Sequence, residues 1–190
     1  MLPGYKMNPS TVIMLLSLAA TVLLGEGQDL PERQPHLGVY QDESKCFPFQ
    51  GTLYLIYRNF EEDKYVGGKA ACVRGSQSGD AVDGAIPMLI EFGEGEKLES
   101  TFTLMSSPGY NVSNVINITP KDNPNDAFNL TAAFCDCAQC KVLRHSYIDN
   151  GAGCSYWVKD QALNEPNTCC QFVYALLCGT KKYQVYEDGC

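Results

Sequence analysis

The distribution of cysteines constrains the fold of this chain more than any other feature. The sequence has ten cysteines in 190 residues, and eight of them fall between Cys135 and Cys190. This cluster includes an adjacent pair, Cys169-Cys170, and surrounds Trp157, the single tryptophan. Disulfides persist in oxidising compartments, so an exported chain with this pattern is expected to fold into a disulfide-stapled domain.

The first 27 residues have the features of a secretory signal. Lys6 gives a weakly basic start, an apolar run extends from Val12 to Leu24, and Gly25 and Gly27 suit a cleavage site. The run has about 13 residues, whereas a membrane-spanning helix needs about 20. We therefore expect a signal peptide at 1–27, a single domain at 28–190, and a secreted protein without a membrane span.

The charge and the motifs exclude several function classes. The formal net charge is −8, and an acidic surface is a poor match for nucleic acid or an anionic membrane. Sequence motifs of hydrolases and metalloproteases are absent, and only His36 and His145 could supply an imidazole base. Cys137-x-x-Cys140 has no second pair or histidine pair to complete a metal site. The sequence predicts a protein that is not an enzyme and has no cofactor or metal.

From Gly51 onward, short β-type segments alternate with turn signals rich in Gly, Pro, Asn and Ser. One helix is predicted at Thr168–Cys178, with the i,i+4 pair Phe172/Leu176 and with Gly179 after its end. Eight strands in sequence predict an all-β, up-and-down antiparallel barrel, whose closure removes exposed edges. The predicted strands are Leu53–Asn59, Lys69–Arg74, Ile86–Phe92, Leu98–Met105, Tyr110–Ile118, Ala127–Phe134, Gln139–His145 and Gly153–Lys159.

Three N-x-S/T sequons orient two of these strands. They predict glycosylation at Asn111, Asn117 and Asn129, and a side chain that carries a glycan must point out of the barrel. Strand side chains alternate between the two faces of a sheet. The residues expected to point inward are therefore Tyr110, Val112, Asn114, Ile116, Ile118, Phe128, Leu130, Ala132 and Phe134.

Several of these features resemble the tick salivary lipocalins, often called the histamine-binding protein family. The resemblance lies in Cys140-x-Val142, in x-x-Trp157-Val158, in the Cys169-Cys170 doublet and in the final Cys190. It covers roughly residues 42–190, with weaker matches in the strands at 86–92 and 101–104. It implies an eight-stranded lipocalin barrel with a helix packed outside, and a cavity for a ligand.

The resemblance also implies a function. It predicts a monomeric salivary protein that sequesters a small host inflammatory mediator and so evades host defence. Family ligands are biogenic amines, such as histamine and serotonin, or leukotrienes and fatty acids. Some members bind complement protein, so binding of a host protein by the outer surface is the alternative of another class.

The disulfide pattern follows from the same resemblance. It implies the pairs Cys46–Cys169, Cys140–Cys170 and Cys72–Cys190, and we expect Cys154–Cys178 as a fourth. Cys135 and Cys137 remain, and their spacing of two residues fits poorly with disulfide geometry. They could bond to each other under strain, exchange with Cys140 or link two chains.

Two positions of the chamber bear on the class of ligand. Amine-binding members typically show Cys-Asp-[Val/Ile/Leu] and Glu-Leu-[Trp/Tyr], because an ammonium in a desolvated pocket needs carboxylates. Here Lys141 and Ser155 replace the two acids, and Ser155 shares its inward face with Trp157. On charge, Lys141 with Arg58, Arg74 or His145 favours an acidic lipid. Its tail would lie along Met88, Ile90, Phe102 and Phe128.

Two kinds of alternative remain open: an amine site in the first hairpin, and purely structural roles for Trp157 and Lys141. Phe60, Asp63 and Tyr65 lie near the point where family members bring an aromatic ring and an acid to the cavity. Histamine or serotonin binding through this hairpin is therefore the second hypothesis. Trp157 could instead be a core plug, and Lys141 a solvated lysine at a strand edge.

Overall fold

The strands of this protein form one antiparallel sheet that closes on itself. The computed structural model describes residues 30–166 and 168–190, so the expected signal peptide lies outside the described residues. Residues Glu32–Cys190 form one compact unit. Within the described ranges, no helix is long and apolar enough to cross a membrane.

Eight strands follow one another around the barrel, and β1 pairs with β2 on one side and with β8 on the other. The predicted eight-stranded antiparallel barrel is confirmed. A two-residue strand, β9, extends the sheet beside the end of β1. The strands are β1 (Thr52–Arg58), β2 (Arg74–Gln77), β3 (Ala85–Phe92), β4 (Glu96–Met105), β5 (Val115–Pro120), β6 (Phe128–Asp136), β7 (Cys140–His145), β8 (Gly153–Lys159) and β9 (Tyr183–Gln184).

The one α-helix of the described ranges, α1, spans Thr168–Cys178, as predicted. It packs Tyr174 against Tyr57 and Tyr156 on the outer face of the barrel. Short 3₁₀ helices lie before β1 and in the connections between later elements. They are Pro35–Tyr40, Glu43–Cys46, Pro124–Asp126, Asp149–Gly151 and Asp160–Ala162.

One end of the barrel is closed by the segment before β1, and the opposite end, which we call the open end, is covered only by a loop. The leader segment (residues 32–50) runs along the outer wall and then crosses the end at which β1 begins, where Phe49 joins the interior core. The lid loop (residues 59–73) lies at the opposite end, where Val66 is buried in the same core. This loop replaces most of the strand predicted at Lys69–Arg74, because Gly67, Gly68 and Cys72 adopt positive φ angles that interrupt an extended chain.

The apolar side chains divide into an interior core and an outer cluster beneath α1. The interior core includes Ile116, Ile118, Phe128, Leu130 and Ala132, as the alternation predicted. Four other inward assignments are wrong: Phe134, Tyr110, Val112 and Asn114, which is bonded to Ser107 outside the barrel. A bulge between Ala132 and Phe134 reverses the alternation, so Phe134 packs in the outer cluster. Tyr110 and Val112 precede β5 and contact the leader, where a Cβ at Gly38 would lie 3.0 Å from Val112 Cγ2.

Four disulfides join the described part of the chain. Cys72–Cys190, Cys140–Cys170 and Cys154–Cys178 agree with the expected pairs. The expected Cys46–Cys169 pair is wrong, because Cys46 is bonded to Cys137. Cys137 lies in the β6–β7 turn at the end that the leader crosses, so it is next to Cys46, whereas Cys169 is exposed in the first turn of α1. Cys135 is the other free cysteine of the described residues.

Candidate functional site

The barrel encloses an apolar chamber of about 50 Å³. Five of the residues proposed from the sequence line it: Met88, Ile90, Phe102, Lys141 and Trp157. Ligand pockets generally enclose roughly 300–1,000 Å³. A ligand must therefore displace side chains or the lid loop when it enters.

Lys141 faces the chamber but does not present a free charge. Its ammonium bonds to the carboxylate of Glu43 in the leader, and both side chains are almost completely buried. The ammonium also lies 5.3 Å from the ring centroid of Phe47 and 5.8 Å from that of Phe49. The closed end of the chamber is therefore polar at one point but carries no net charge.

A hydrogen-bonded chain connects the chamber with the lid loop. Trp157 Nε1 donates to Ser155 Oγ (2.8 Å), and Ser155 Oγ lies 2.6 Å from His145 Nε2. His145 Nδ1 lies 2.8 Å from the hydroxyl of Tyr147, which donates to Asp63 at 3.1 Å. Each ring nitrogen of His145 thus has a partner, and the chain is continuous from Trp157 to Asp63. Sequence reasoning named Ser155, Asp63 and Trp157 separately, and the structure joins them.

Asp63 is held in its ionised form. Burial alone would raise the pKa of this carboxyl, but the hydrogen bond and charge of His145 and the backbone N–H groups of Tyr65 and Val66 lower it below its ordinary value. Burial and the Asp63 charge both raise the pKa of Tyr147, so this phenol stays protonated. The lid therefore places a buried anion at the open end of the barrel.

Aromatic rings surround this anion. Tyr65 stacks on Phe128 with ring centroids 4.5 Å apart, and Tyr147 meets Tyr65 edge-on at 4.7 Å. The ammonium of Lys64 lies 4.5 Å from the centroid of the Tyr65 ring. Phe60 packs edge-on against His145 at 4.9 Å. The three hairpin residues proposed from the sequence thus meet at the open end of the barrel.

Arg58 is a functional candidate whose inward direction regular strand alternation does not predict. A bulge between Leu55 and Tyr57 sends Tyr57 to the outer cluster and Arg58 inward, opposite Ser155. Only 2% of Arg58 is exposed. Its Nη2 donates to the carbonyl oxygens of Glu61 (2.9 Å) and Gly68. Its Nε and Nη1 have no partner among the described residues.

The remaining basic candidate, Arg74, does not reach the chamber. Its guanidinium pairs with Glu91 at 3.1 Å and donates to the carbonyl oxygen of Cys190 at 2.9 Å. Arg74 therefore ties the C-terminus to the barrel wall. The anion-binding role proposed for this group of basic residues is left to Arg58 and His145.

The sequons lie outside the chamber. Asn117 and Asn129 are cross-strand neighbours on the outer face, and Asn117 Nδ2 donates to Asn129 Oδ1 at 2.8 Å. Asn111 is exposed in the loop before β5. All three positions are thus compatible with a glycan, and the alternation correctly predicted the outward direction of Asn117 and Asn129.

Comparisons with known proteins identify a family that matches the sequence and solved structures with a similar fold. The family model of the tick histamine binding protein matches residues 31–190, and no curated protein sequence gives a significant match. A crystal structure of the AM182 serotonin complex is 19% identical, with a TM-score of 0.55 over 80% of this chain and 92% of that chain. Japanin from Rhipicephalus appendiculatus bound to cholesterol is 16% identical, with a TM-score of 0.50 over 74% and 95%. Apocrustacyanin C2 is 12% identical, with a TM-score of 0.50 over 77% and 83%.

At these identities the solved structures establish the fold alone, whereas the family model spans most of the chain. The barrel, the external helix and the apolar chamber are the features of ligand-binding lipocalins rather than of enzymes. This protein belongs to the tick histamine-binding protein family.

Proposed function

We propose that this protein sequesters a small amphiphile with an acidic head group, such as a fatty acid or a leukotriene. The head group binds Arg58 at the open end of the barrel, and the tail occupies the apolar chamber lined by Met88, Ile90 and Phe102. As a secreted salivary protein it would remove a host inflammatory mediator and so evade host defence.

The observation that supports an acidic ligand is the incomplete bonding of Arg58. A buried donor without a partner destabilises a protein by about 1–3 kcal/mol, and both Nε and Nη1 of Arg58 are in this state among the described residues. A carboxylate would form charge-assisted hydrogen bonds with them. Arg58 takes the anion-binding role proposed for Lys141, because Glu43 already neutralises Lys141.

An amine is the second candidate, and one observation favours it. The ammonium of Lys64 lies over the rings of Tyr65 and Tyr147, at 4.5 and 5.6 Å from their centroids. These rings therefore form a surface on which a ligand ammonium could replace Lys64, close to the Asp63 carboxylate. The serotonin complex of AM182 is a precedent for an amine in this fold. Against it, Asp63 already accepts hydrogen bonds from Tyr65, Val66 and Tyr147.

Binding of a host protein by the outer surface is the alternative of another class. Phe172 and Leu176 on α1 are each 67% exposed, which is unusual for large apolar side chains. Nothing in their surroundings selects a partner. The small-ligand hypothesis has the chamber in its favour.

Calorimetry and native mass spectrometry of the secreted protein with arachidonic acid, leukotriene C4, histamine and serotonin would separate the two ligand classes. Replacing Arg58 with Met should weaken binding of the acids by about 10–100-fold, the effect of losing a charge-assisted hydrogen bond. Arg74→Met is the matched control, because this arginine lies outside the chamber. Trp157, the sole tryptophan, should report ligand entry through its fluorescence.

The opposite result would identify the amine class. If serotonin or histamine binds, the acids do not, and Asp63→Asn abolishes binding, then the acidic-ligand hypothesis is wrong. The Arg58→Met variant would in that case retain its ligand.

A further inference from the structure

A second cavity, of about 320 Å³, lies outside the barrel. It is enclosed by the leader, by the loop before β5 and by residues of β6 and β7. The cavity and the barrel chamber have no lining residue in common. Unlike the chamber, it is lined by polar side chains that are almost completely buried: Glu32, Gln41, Asn114 and Arg144.

Two acceptor oxygens in this lining have no partner among the described residues. They are Glu32 Oε2 and Gln41 Oε1, and both are buried, so a ligand in the cavity reaches them only by displacing the side chains that cover them. The Gln41 side chain cannot turn to relieve this, because its Nε2 already donates to the carbonyl oxygens of Glu32 (2.8 Å) and Ala133 (3.3 Å). An acceptor that is fixed and unpaired in this way needs a hydrogen-bond donor from a bound molecule.

The neighbouring donors are already used. Arg144 Nε bonds to the other carboxylate oxygen of Glu32, and its Nη1 and Nη2 bond to the carbonyl oxygens of Ala152 (3.1 Å) and Leu177 (2.6 Å). Asn114 is engaged with Ser107, accepting from its N–H at 2.8 Å and donating to its Oγ at 3.1 Å. The donors of Arg144 and Asn114 are therefore engaged elsewhere and do not satisfy the two oxygens.

The charges around the cavity indicate which class of ligand it can bind. Arg144 offsets the charge of Glu32, so a simple cation would meet a lining without net negative charge. Arg33 also lines the cavity, is exposed, and forms no ion pair with any described residue. An ammonium group brings three donors to the oxygens, and a carboxylate on the same molecule brings a partner for Arg33.

We propose that this cavity binds a small zwitterion of the amino-acid type. Its ammonium group donates to Glu32 Oε2 and Gln41 Oε1, and its carboxylate binds the guanidinium of Arg33. Tyr110 completes the wall, with its hydroxyl donating to the Glu32 carbonyl oxygen at 3.3 Å. This site is independent of the ligand in the barrel.

Titration calorimetry with glycine, β-alanine and 4-aminobutyrate, followed by crystal soaking, tests the proposal. At least one of the three should bind about tenfold more tightly than methylamine or acetate, each of which has only one of the two charged groups. Arg33→Ala and Gln41→Leu should each weaken binding by about tenfold. Lys45→Ala is the matched control in the same segment and should have no effect.

Arg33 is exposed, so its replacement tests the site without disturbing the fold even if Gln41→Leu proves unstable. Saturating arachidonic acid should leave the affinity of the zwitterion unchanged, because the two cavities are separate. Three results would overturn the proposal: a soaked crystal with only water in this cavity, binding that survives Arg33→Ala, or binding that competes with the barrel ligand.

Discussion

The ammonium of Lys141 meets the carboxylate of Glu43 inside the protein, with 3% and 0% of the two side chains exposed. The pair joins the leader to β7 across 98 positions of sequence. It neutralises Lys141, the only charged side chain that the described residues contribute to the lining of the chamber. Lys141 therefore supports the closed end of the barrel rather than attracting an anion.

Breaking this pair should destabilise the protein strongly. Lys141→Met and Glu43→Leu each leave one buried charge unpaired, and the free energy of unfolding should fall by about 3–5 kcal/mol. The double variant should recover most of this loss, because neither charge remains. Urea unfolding measures all three. Lys121→Met, at the exposed Lys121–Glu99 pair, is the control and should have much less effect. If the single variants are as stable as the parent, then the Lys141–Glu43 pair does not stabilise the fold.

The sequence predicted the barrel and the helix because both depend on local periodicity. It also placed Lys141 on the inward face, since alternation is regular along β7. It could not identify Glu43 as the partner of Lys141, because no local pattern links residues so far apart. The two bulges were equally invisible. One extra residue in β1 and one in β6 reverse the alternation, which turns Arg58 inward and Phe134 outward.

The disulfides show the same limit. Cys46–Cys169 was expected by analogy with a family, but the β6–β7 turn brings Cys137 to Cys46 with their Cα atoms 4.8 Å apart. The cavity beneath the leader was also out of reach of sequence reasoning. Its polar lining comes from four separate parts of the chain, which are adjacent only once the leader has packed on the barrel wall.

The lid loop should remain closed in mild acid. Asp63, which faces His145, Tyr147 and Arg58, has a pKa below its ordinary value, so its contribution to stability is complete above about pH 4 and is lost only as the pH falls further. Because Asp63 stays ionised between pH 7 and pH 5, hydrogen exchange of residues 59–73, corrected for intrinsic rates, should change little over this range. Asp63→Asn should increase exchange in this loop at both pH values. Equal exchange in the variant and the parent would show that Asp63 does not hold the lid.

The two free cysteines should differ in reactivity. Cys169 is exposed and should react with a maleimide at neutral pH, and Cys169→Ser should abolish this labelling. Burial raises the pKa of Cys135 to about 12, so its thiol should stay unreactive until the pH approaches that value. The folded state binds this proton more tightly than the unfolded chain does, so its contribution to stability is lost as the pH rises from about 9 toward 12.

Peptide mapping of the unreduced protein should find Cys46 linked to Cys137. The sulfur atoms of Cys46, Cys135 and Cys137 lie within 4.8 Å of one another, so digestion should be carried out in acid, where Cys135 cannot attack the disulfide. A Cys46–Cys169 peptide in such a digest would restore the pairing expected from the family.

The glycans should be external and dispensable for ligand binding. We expect sugar at Asn111, Asn117 and Asn129, because all three lie outside the chamber. Mass spectrometry of glycopeptides measures their occupancy. Enzymatic removal of the sugars should leave the affinity for the barrel ligand unchanged, whereas a loss of affinity would place at least one glycan near the entrance.

Ser155 should prove essential to the chain of hydrogen bonds that links the chamber with the lid. Its hydroxyl is completely buried and serves both Trp157 Nε1 and His145 Nε2, at 2.8 and 2.6 Å. Ser155→Ala leaves both nitrogens without that partner, so the free energy of unfolding should fall by about 1–3 kcal/mol. The fluorescence of Trp157 should shift in the same variant, because its indole N–H loses its acceptor. Ser146→Ala is the matched control on the exposed chain after β7. If Ser155→Ala preserves both the stability and the Trp157 spectrum, then the chain is not a structural unit, and the lid and the chamber are not coupled through Ser155.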